Sequence, residues 1–446
     1  MLPELFTEPL SGLKRADVVI VGAGMTGLML AVRLLHGGAR VALVEQEQPG
    51  RGASALCTGT ASTLHMDMYA RAEMARSTET ARTYLETLEH SLVRMKAVLP
   101  TDCRPQETSV YAYAMLDEDL PALDAQMALA HRLKLPLQAA PDAGGCPFPV
   151  EASARLEDQL MLDPQALVER LVRTIASLGG VIYPSSPVIA IEGRRACTTV
   201  GCAEAPVIVM TAGYPPGMRK LRHLALLSAH TMIGCHLTGT LPLHTCQRSV
   251  RPGGLGMRPV PGGMLTSWDA GCSGTSVVTR RTELLERVLT GRLPEWEIVS
   301  MDFRQELYPV DGLPLIGVLP EYGGHVLCAA GYAGSGLLGA HHASGVLARR
   351  LLGRALPQDA IFRPDRTLRT QVLQSGLRRL ARAYTANFLH LLAPVCPHRG
   401  CRLRYHPQSQ QWQCPICGSV FNLFGRRITG ACLRSTQISP SRRPLQ

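Results

Sequence analysis

Three glycines near the start of the chain, Gly22, Gly24 and Gly27, have the spacing that a nucleotide pyrophosphate requires. The first permits a tight turn, the second lets the backbone approach the phosphates, and the third allows the next helix to pack closely on the preceding strand. Glu45 follows Gly24 by 21 residues, where a carboxylate accepts both hydroxyls of an adenosine ribose. An acidic residue there disfavours a 2′-phosphate. The motif therefore predicts a site for FAD or NAD rather than NADP.

A second set of residues with potential chemistry lies near the other end of the chain. Cys396 and Cys401 form one pair with His398 between them, and Cys414 and Cys417 form another. Thiolates and imidazoles are the ligands that zinc and iron–sulfur clusters take in proteins. Two cysteine pairs at this ribbon-like spacing suit a structural zinc site. The residues alone indicate a metal centre and leave the metal open.

Short strands and one helix must position the glycine motif. Residues 17–21 and 40–44 are β-branched or apolar runs that predict buried parallel strands, and residues 28–35 between them predict a helix. The helix N-terminus offers free N–H groups to the phosphates. A second glycine-rich turn, residues 331–339, follows another predicted strand about 300 residues later. Two such turns from opposite ends of the chain fit one extended cofactor held between them.

The charge of the chain is concentrated in its tail. The formal net charge of +11 arises in residues 366–446, which hold 13 Arg, no Lys and no Asp or Glu. The other 365 residues hold 33 basic and 35 acidic side chains, a net of −2. Apolar residues make up 46% of the chain, which excludes wholesale disorder. A large near-neutral body is therefore expected to carry a small cationic appendage.

The cysteines and the N-terminus bear on the compartment. Five of the 14 cysteines lie within 37 residues near the end, and the other nine show no pairing pattern. We interpret these nine as free thiols in a reducing compartment. Glu4 and Glu8 interrupt any early apolar run, so no signal peptide is expected. The apolar stretch 326–340 is too short to cross a bilayer, which takes about 20 residues. The sequence thus predicts a soluble, cytoplasmic protein.

Residues 15–366 resemble the FAD-dependent D-amino-acid oxidase superfamily, which includes glycine oxidase and sarcosine oxidase. Beside both glycine-rich turns, segments 70–99, 102–113, 158–164 and 304–317 carry the resemblance. It implies an α/β fold in which a Rossmann-type FAD-binding domain is interleaved with an α+β substrate domain. It also implies noncovalent FAD, because no histidine stands where some relatives attach the flavin. The glycine motifs and the resemblance together give as FAD-binding candidates Gly22, Ala23, Gly24, Met25, Thr26, Gly27, Glu45, Gln46, Gly52, Ser54, Val188, Ala212, Gly213, Gly331, Gly334, Ser335 and Gly336.

The tail resembles a truncated Rieske-type domain, a small all-β module, and the body resembles the branch of the superfamily that carries one. Two departures stand out. Cys417 occupies the place of the second histidine ligand, and Ile416 replaces a cysteine that often pairs with the position of Cys401. Three interpretations remain: a [2Fe–2S] cluster on Cys396, His398, Cys414 and Cys417; zinc on Cys396, Cys401, Cys414 and Cys417; or a metal-free module.

The resemblance implies an oxidoreductase body over 1–366 and a Rieske-like Cys/His module over 394–446. Between them, apolar residues at helical spacing predict an amphipathic linker helix over 367–393: Leu373, Leu377, Leu380, Tyr384, Phe388 and Leu391. The resemblance also implies an FAD-dependent enzyme that oxidises an amine or amino acid and passes electrons to the cluster. Amino-acid oxidases of the superfamily hold the substrate carboxylate with an arginine. Arg304 is a candidate, although it is offset from the Gly-Leu-Arg-Pro pattern of glycine oxidase, and a structural role for it is equally expected.

Two alternative functions remain open. The first is a flavin oxidase that uses O2 and carries the tail as a structural zinc module. The second is a redox-sensing flavoprotein whose basic tail binds an anionic partner. An acidic electron-transfer partner fits the charge of the tail. Nucleic acid is disfavoured, because no aromatic residues interleave the arginine clusters for base stacking.

Overall fold

A computed structural model describes residues 6–54, 57–213, 226–239, 243–251, 253–293, 295–389, 393–430, 432 and 435–436. Of these described residues, eight segments form α-helices. They are α1 (Met25–His36), α2 (Met66–Ala75), α3 (Thr78–Val98), α4 (Leu120–Leu133), α5 (Pro164–Ser177), α6 (Ser276–Arg292), α7 (Gly336–Leu351) and α8 (Thr370–Thr385). In the same residues no helix is long and apolar enough to cross a membrane.

The strands of the described residues form four sheets. In chain order they are β1 (Gly12–Arg15), β2 (Val18–Val21), β3 (Val41–Val44), β4 (Thr60–Ala61), β5 (Gln106–Ala114), β6 (Gln138–Ala139), β7 (Ala152–Met161), β8 (Val181–Tyr183), β9 (Ala190–Glu192), β10 (Arg195–Cys197), β11 (Gly201–Glu204), β12 (Val207–Met210), β13 (Leu227–Thr238), β14 (Cys246–Ser249), β15 (Gly256–Val260), β16 (Gly263–Cys272), β17 (Glu297–Pro309), β18 (Leu315–Val318), β19 (Val326–Ala330), β20 (Arg404–His406), β21 (Gln411–Gln413), β22 (Val420–Phe421) and β23 (Arg427–Thr429).

A six-stranded sheet with the order β18-β19-β12-β2-β3-β8 forms the centre of the body. All neighbours pair in parallel except β18 and β19. Every residue of β2, β3 and β19 is buried, which explains their continuous apolar sequences. Because parallel strands end at the same edge of a sheet, the loops after β2, β12 and β19 lie side by side.

A larger, mostly antiparallel sheet has the order β17-β13-β16-β15-β14-β5-β7-β4, with β6 paired to β7. Strand β13, the second from one edge, is 12 residues long and lies between β16 and β17. A third sheet, β1-β11-β10-β9, is formed by short strands next to the central sheet in the chain. This mixture confirms the predicted fold class: a Rossmann-type domain interleaved with an α+β domain.

The fourth sheet, β20-β21-β22-β23, forms the small all-β module at the end of the chain. Helix α8 precedes it, and both contact the body. Thr231 Oγ1 donates to Gln413 Oε1 at 3.1 Å, and Asn387 Nδ2 donates to the Gly274 carbonyl at 2.8 Å. Buried apolar side chains of β2, β3, β12 and β19 belong to the same cluster as those of α8 and the cysteine loops. The module and the body therefore share a core.

One expectation about the cysteines is wrong. Cys197 and Cys202, two of the nine expected as free thiols, form a disulfide. They face each other across the β10–β11 hairpin, with their Cα atoms 4.1 Å apart. The pairing of residues across the hairpin brings the two cysteines together. The four residues between them give no sign of this pairing in the sequence. The remaining twelve cysteines are free.

Candidate functional site

The first glycine-rich turn has room for no side chain at two of its positions. Gly22 adopts φ +104°, and a Cβ there would lie 3.1 Å from the backbone nitrogen of Ala212. A Cβ at Gly27 would lie 2.0 Å from the Gly22 carbonyl oxygen and 2.8 Å from Thr211 Oγ1. Thr211 Oγ1 in turn donates to the Gly22 carbonyl at 2.9 Å. The glycines thus let α1 pack against the turn and the end of β12, as the motif predicts.

The N-terminus of α1 presents backbone donors at the edge of the sheet. Glu45, directly after β3, accepts the Ala23 N–H at 2.7 Å and the Glu47 N–H at 3.0 Å. Burial raises the pKa of Glu45. The Met25 N–H donates to Ser54 Oγ at 2.8 Å, and a Cβ at Gly24 would lie 3.2 Å from the same oxygen. The 50–54 loop therefore lies directly over the helix end at which a pyrophosphate is expected.

The second glycine-rich turn lies beside the first. Gly331 and Gly334 adopt φ values of +86° and +88° after β19, and Ser335 is the N-cap residue of α7. Thr26 Oγ1 of α1 lies 3.1 Å from the Tyr332 hydroxyl oxygen and joins the two turns. The two turns therefore lie against each other and form one cradle of backbone at the edge of the central sheet. This backbone fits an extended dinucleotide, so the residues present are suited to FAD.

The other predicted FAD contacts surround this cradle. Ala212 and Gly213 are exposed at the end of β12, and Gly213 has φ +61°. Val188 is buried between β8 and β9. Gly52 is exposed, with open space where its Cβ would be. Gln46 is engaged by the tail, because its Nε2 donates to the Ile428 carbonyl at 3.1 Å. The role of these residues toward FAD remains a prediction.

Three polar side chains converge above Gly334. From the position of a Cβ on Gly334, Arg248 Nη2 lies 3.5 Å away, the Tyr308 hydroxyl 3.8 Å and Glu306 Oε2 3.9 Å. Glu306 Oε2 is buried without a hydrogen-bond partner among the described residues. Among the residues that the structure describes, Arg248 forms no ion pair. Gly334 is exposed and has no side chain, so these three groups border the space beside it, which is called the opening below.

Sequence reasoning missed Arg248, Glu306 and Tyr308, which come from β14 and β17. Only the strand order of the large sheet brings them together. The predicted candidate, Arg304, lies in β17 beside this opening, but its Nε is 3.2 Å from Glu306 Oε1. Arg304 therefore neutralises a neighbouring carboxylate, whereas the Arg248 guanidinium lies beside Gly334. The role of Arg304 toward a substrate stays a prediction.

The tail cysteines converge in the interior of the module. The Sγ atoms of Cys396, Cys401 and Cys414 all lie within 4.8 Å of one another. Cys401 Sγ is 3.1 Å from Cys414 Sγ, and Cys396 Sγ is 3.9 Å from Cys417 Sγ. All four residues are buried. A group of buried thiols at these distances is suited to binding one metal centre.

His398 and a fifth cysteine adjoin these four thiols. Burial alone would raise the pKa of Cys417, but hydrogen bonds with Cys396, Cys414 and His398 outweigh it and hold that pKa well below its usual value. The Cys432 thiol hydrogen-bonds to Cys396. The structure therefore places Cys401 within 4.8 Å of Cys396 and Cys414 and His398 beside Cys417, and the iron–sulfur and zinc interpretations both stay predictions. Cys432, which sequence reasoning did not assign, is a further thiol at the same place.

A dinucleotide-binding sheet joined to a large antiparallel sheet defines the class of protein, a cofactor-dependent enzyme. The family model for FAD dependent oxidoreductases, DAO, matches residues 17–350. The chain therefore belongs to this family and is an FAD-dependent oxidoreductase.

Individual relatives extend the comparison. The chain is 21% identical over 480 residues to YhfW of Bacillus subtilis (strain 168), named as a Rieske 2Fe-2S iron-sulfur protein, with 94% of this chain and 92% of YhfW covered. It is 24% identical over 399 residues to the glycine oxidase of Bacillus licheniformis, with 79% of this chain and 98% of that oxidase covered. The crystal structure of glycine oxidase from Geobacillus kaustophilus superposes with a TM-score of 0.63 at 21% identity, covering 79% of this chain and 99% of that one. Similarity to YhfW thus extends into the tail.

Proposed function

We propose that this chain oxidises an amine or amino acid with FAD and that the electrons leave through a [2Fe–2S] cluster in the tail module. One observation carries the proposal: the two cofactor regions contact the same strand. Leu227 of β13 lies 3.2 Å from the Cβ position of Gly331, and Ala229 lies 2.7 Å from that of Gly418, which follows Cys417. Residues two apart in a strand are separated by about 7 Å. The flavin and cluster regions therefore lie against neighbouring positions of one strand, which supports electron transfer between them.

The opening at Gly334 supports a substrate that carries both charges of an amino acid. The Arg248 guanidinium is a fork suited to a carboxylate. Glu306 Oε2, which is buried and lacks a hydrogen-bond partner among the described residues, is suited to accept from an ammonium group. FAD, when bound, supplies the acceptor for the substrate hydride. The side chains around the opening then need only to bind and orient the substrate.

Anaerobic mixing of the purified protein with glycine, N-methylglycine, D-alanine and L-proline tests this function. We expect at least one of them to bleach the flavin absorbance, followed by an electron paramagnetic resonance signal from the reduced cluster. Arg248→Met removes the cation and is expected to raise the half-saturating substrate concentration about 100-fold, because a buried charged hydrogen bond contributes about 1.5–3 kcal/mol. Arg292→Met, at a surface cation–π contact with Phe148, is the control. Unchanged saturation in Arg248→Met would contradict the assigned subsite, and a flavin that none of the four compounds bleaches would contradict the amino-acid class.

The identity of the metal centre is tested by a pair of substitutions. His398→Ala is expected to lose the iron and acid-labile sulfide of the purified protein, whereas Cys401→Ser is expected to keep both. The reason is that a [2Fe–2S] centre with the Rieske spacing takes Cys396, His398, Cys414 and Cys417. Elemental analysis measures the metal content of both variants, and the absorption spectrum shows whether a cluster is present. Loss of metal in Cys401→Ser with retention in His398→Ala would instead support zinc on four thiolates.

A second candidate function is favoured by Cys401, which lies 3.1 Å from Cys414. If the module holds structural zinc, the enzyme is a flavin oxidase that returns electrons to O2.

An acidic partner protein is supported by the exposed side chains of Arg378, Arg382 and Arg426. Arg366 of the basic tail is instead buried against Asp311. The cationic surface is therefore smaller than the composition of the tail indicates.

A further inference from the structure

A cysteine, a histidine and an aspartate adjoin on two neighbouring strands of the large sheet. His230 of β13 contacts Asp269 of β16, with Nδ1 2.9 Å from Oδ2. The other ring nitrogen, Nε2, lies 3.8 Å from Cys272 Sγ and 3.1 Å from Ser228 Oγ. The imidazole also stacks on Tyr308 with ring centroids 4.5 Å apart. None of the proposed flavin or metal chemistry uses this trio.

The arrangement separates charge within the trio. Burial lowers the pKa of His230, but hydrogen bonds and charge from Asp269 and Cys272 outweigh that effect and raise it to about 9. The protonated ring faces the thiol: burial raises the pKa of Cys272, while hydrogen bonding and the charge of His230 bring it down to about 7. Arg379 of α8 acts on Cys272 in the same direction. The other charged or titratable groups facing the trio are Arg281 of α6, with Glu306 and Tyr308 of β17.

We propose that Cys272 is a modification site, a thiolate that reacts with hydrogen peroxide and is oxidised to sulfenic acid. The sulfur attacks one peroxide oxygen, so an S–O bond forms as the O–O bond breaks. The sulfur is oxidised by two electrons and the peroxide is reduced. The leaving hydroxide takes a proton from His230 Nε2 and departs as water, while the second peroxide proton stays on the new S–OH group. Asp269 orients the ring and stabilises its protonated form.

The chain contains two matched comparison thiols. Cys57 and Cys146 are half-buried, as Cys272 is. Burial raises the pKa of both, and that of Cys146 reaches about 11. At pH 7 a thiol with a pKa near 7 is about half ionised, and one near 11 only on the order of 0.01%. A more basic thiolate is a better nucleophile, so the difference in reaction rate is smaller than the difference in ionised fraction.

The test uses the full-length protein as purified, without any amine substrate. After brief exposure to hydrogen peroxide at pH 7, dimedone traps sulfenic acids and mass spectrometry quantifies each cysteine. We expect Cys272 to be labelled at least about tenfold faster than Cys57 and Cys146, and its labelling to fall below pH 7. His230→Gln and Asp269→Asn should each reduce that ratio. Equal labelling of the three cysteines, or an unchanged ratio in His230→Gln, would overturn the proposal. The ratio of Cys272 labelling to that of Cys57 and Cys146 in the wild-type protein tests the proposal even if both variants fail to fold. It is independent of the proposed amine oxidation.

Discussion

Gly27→Ala is expected to yield protein that purifies without FAD. The new Cβ would lie 2.0 Å from the Gly22 carbonyl oxygen, a backbone atom that cannot move without displacing the turn. The shift would carry α1 away from β12 and remove the N–H groups that face the pyrophosphate. The ratio of absorbance at 450 nm to that at 280 nm measures the loss. Gly291→Ala, at an α6 position with open space around its Cβ, is the control and should remain yellow.

A companion variant separates loss of cofactor from loss of fold. A Cβ at Gly24 would lie 3.2 Å from Ser54 Oγ and contact no backbone atom, so Gly24→Val should leave the turn formed while filling the path of the pyrophosphate. We expect a wild-type far-ultraviolet circular dichroism spectrum and colourless protein. If either variant purifies with full flavin content, the proposed cofactor site is wrong.

Arg366→Met is expected to destabilise the protein by about 3–5 kcal/mol, because it leaves a buried carboxylate without its partner. Arg366 binds Asp311 through two parallel N–H donations, from Nε and Nη2, each of 2.8 Å. Asp311 is fully buried, and the Arg366 side chain is 3% exposed. Arg366 also donates to the carbonyl oxygens of Leu313 and Pro314, in the segment that precedes β18. Thermal unfolding followed by circular dichroism provides the measurement.

The matched control for this ion pair is close by in the chain. Arg363 pairs with Asp365 at 2.6 Å, but the two side chains are 55% and 34% exposed. Solvent screens such a pair, so Arg363→Met should cost less than about 1 kcal/mol. A double substitution of Asp311→Leu with Arg366→Met should recover much of the lost stability, because no unpaired charge then remains. Equal destabilisation by Arg363→Met and Arg366→Met would contradict this account.

Local sequence predicted the parts of the site that are formed by neighbouring residues. The turn at Gly22–Gly27, the strand on each side of it and the carboxylate of Glu45 lie within 30 residues, so short-range rules of turns and helix ends apply. The cysteine loops of the tail are likewise local. Arg248, Glu306 and Tyr308 were not predicted, since β14 and β17 are brought near each other only through β13, β15 and β16. The order of strands in a sheet depends on pairings that no local pattern encodes.

Composition was a weaker guide than spacing. Thirteen arginines without one acidic residue predicted a cationic tail, yet Arg366 neutralises Asp311 of the body. Similarly, nine scattered cysteines indicated free thiols, and the hairpin register of Cys197 and Cys202 paired two of them. In both cases the partner is supplied by tertiary structure, which a count of residue types does not contain.

The core shared by the module and the body limits how this chain could be rearranged by gene fusion. Phe421 and Leu403 of the module are fully buried in the same cluster as Val19 and Leu315 of the central sheet. Deleting the module would uncover that apolar surface, and grafting it onto another flavoprotein would require a matching one. The two parts are therefore expected to accumulate compensating substitutions and to be inherited together. A module that shares its core with the body in this way is not a unit that recombination can exchange freely.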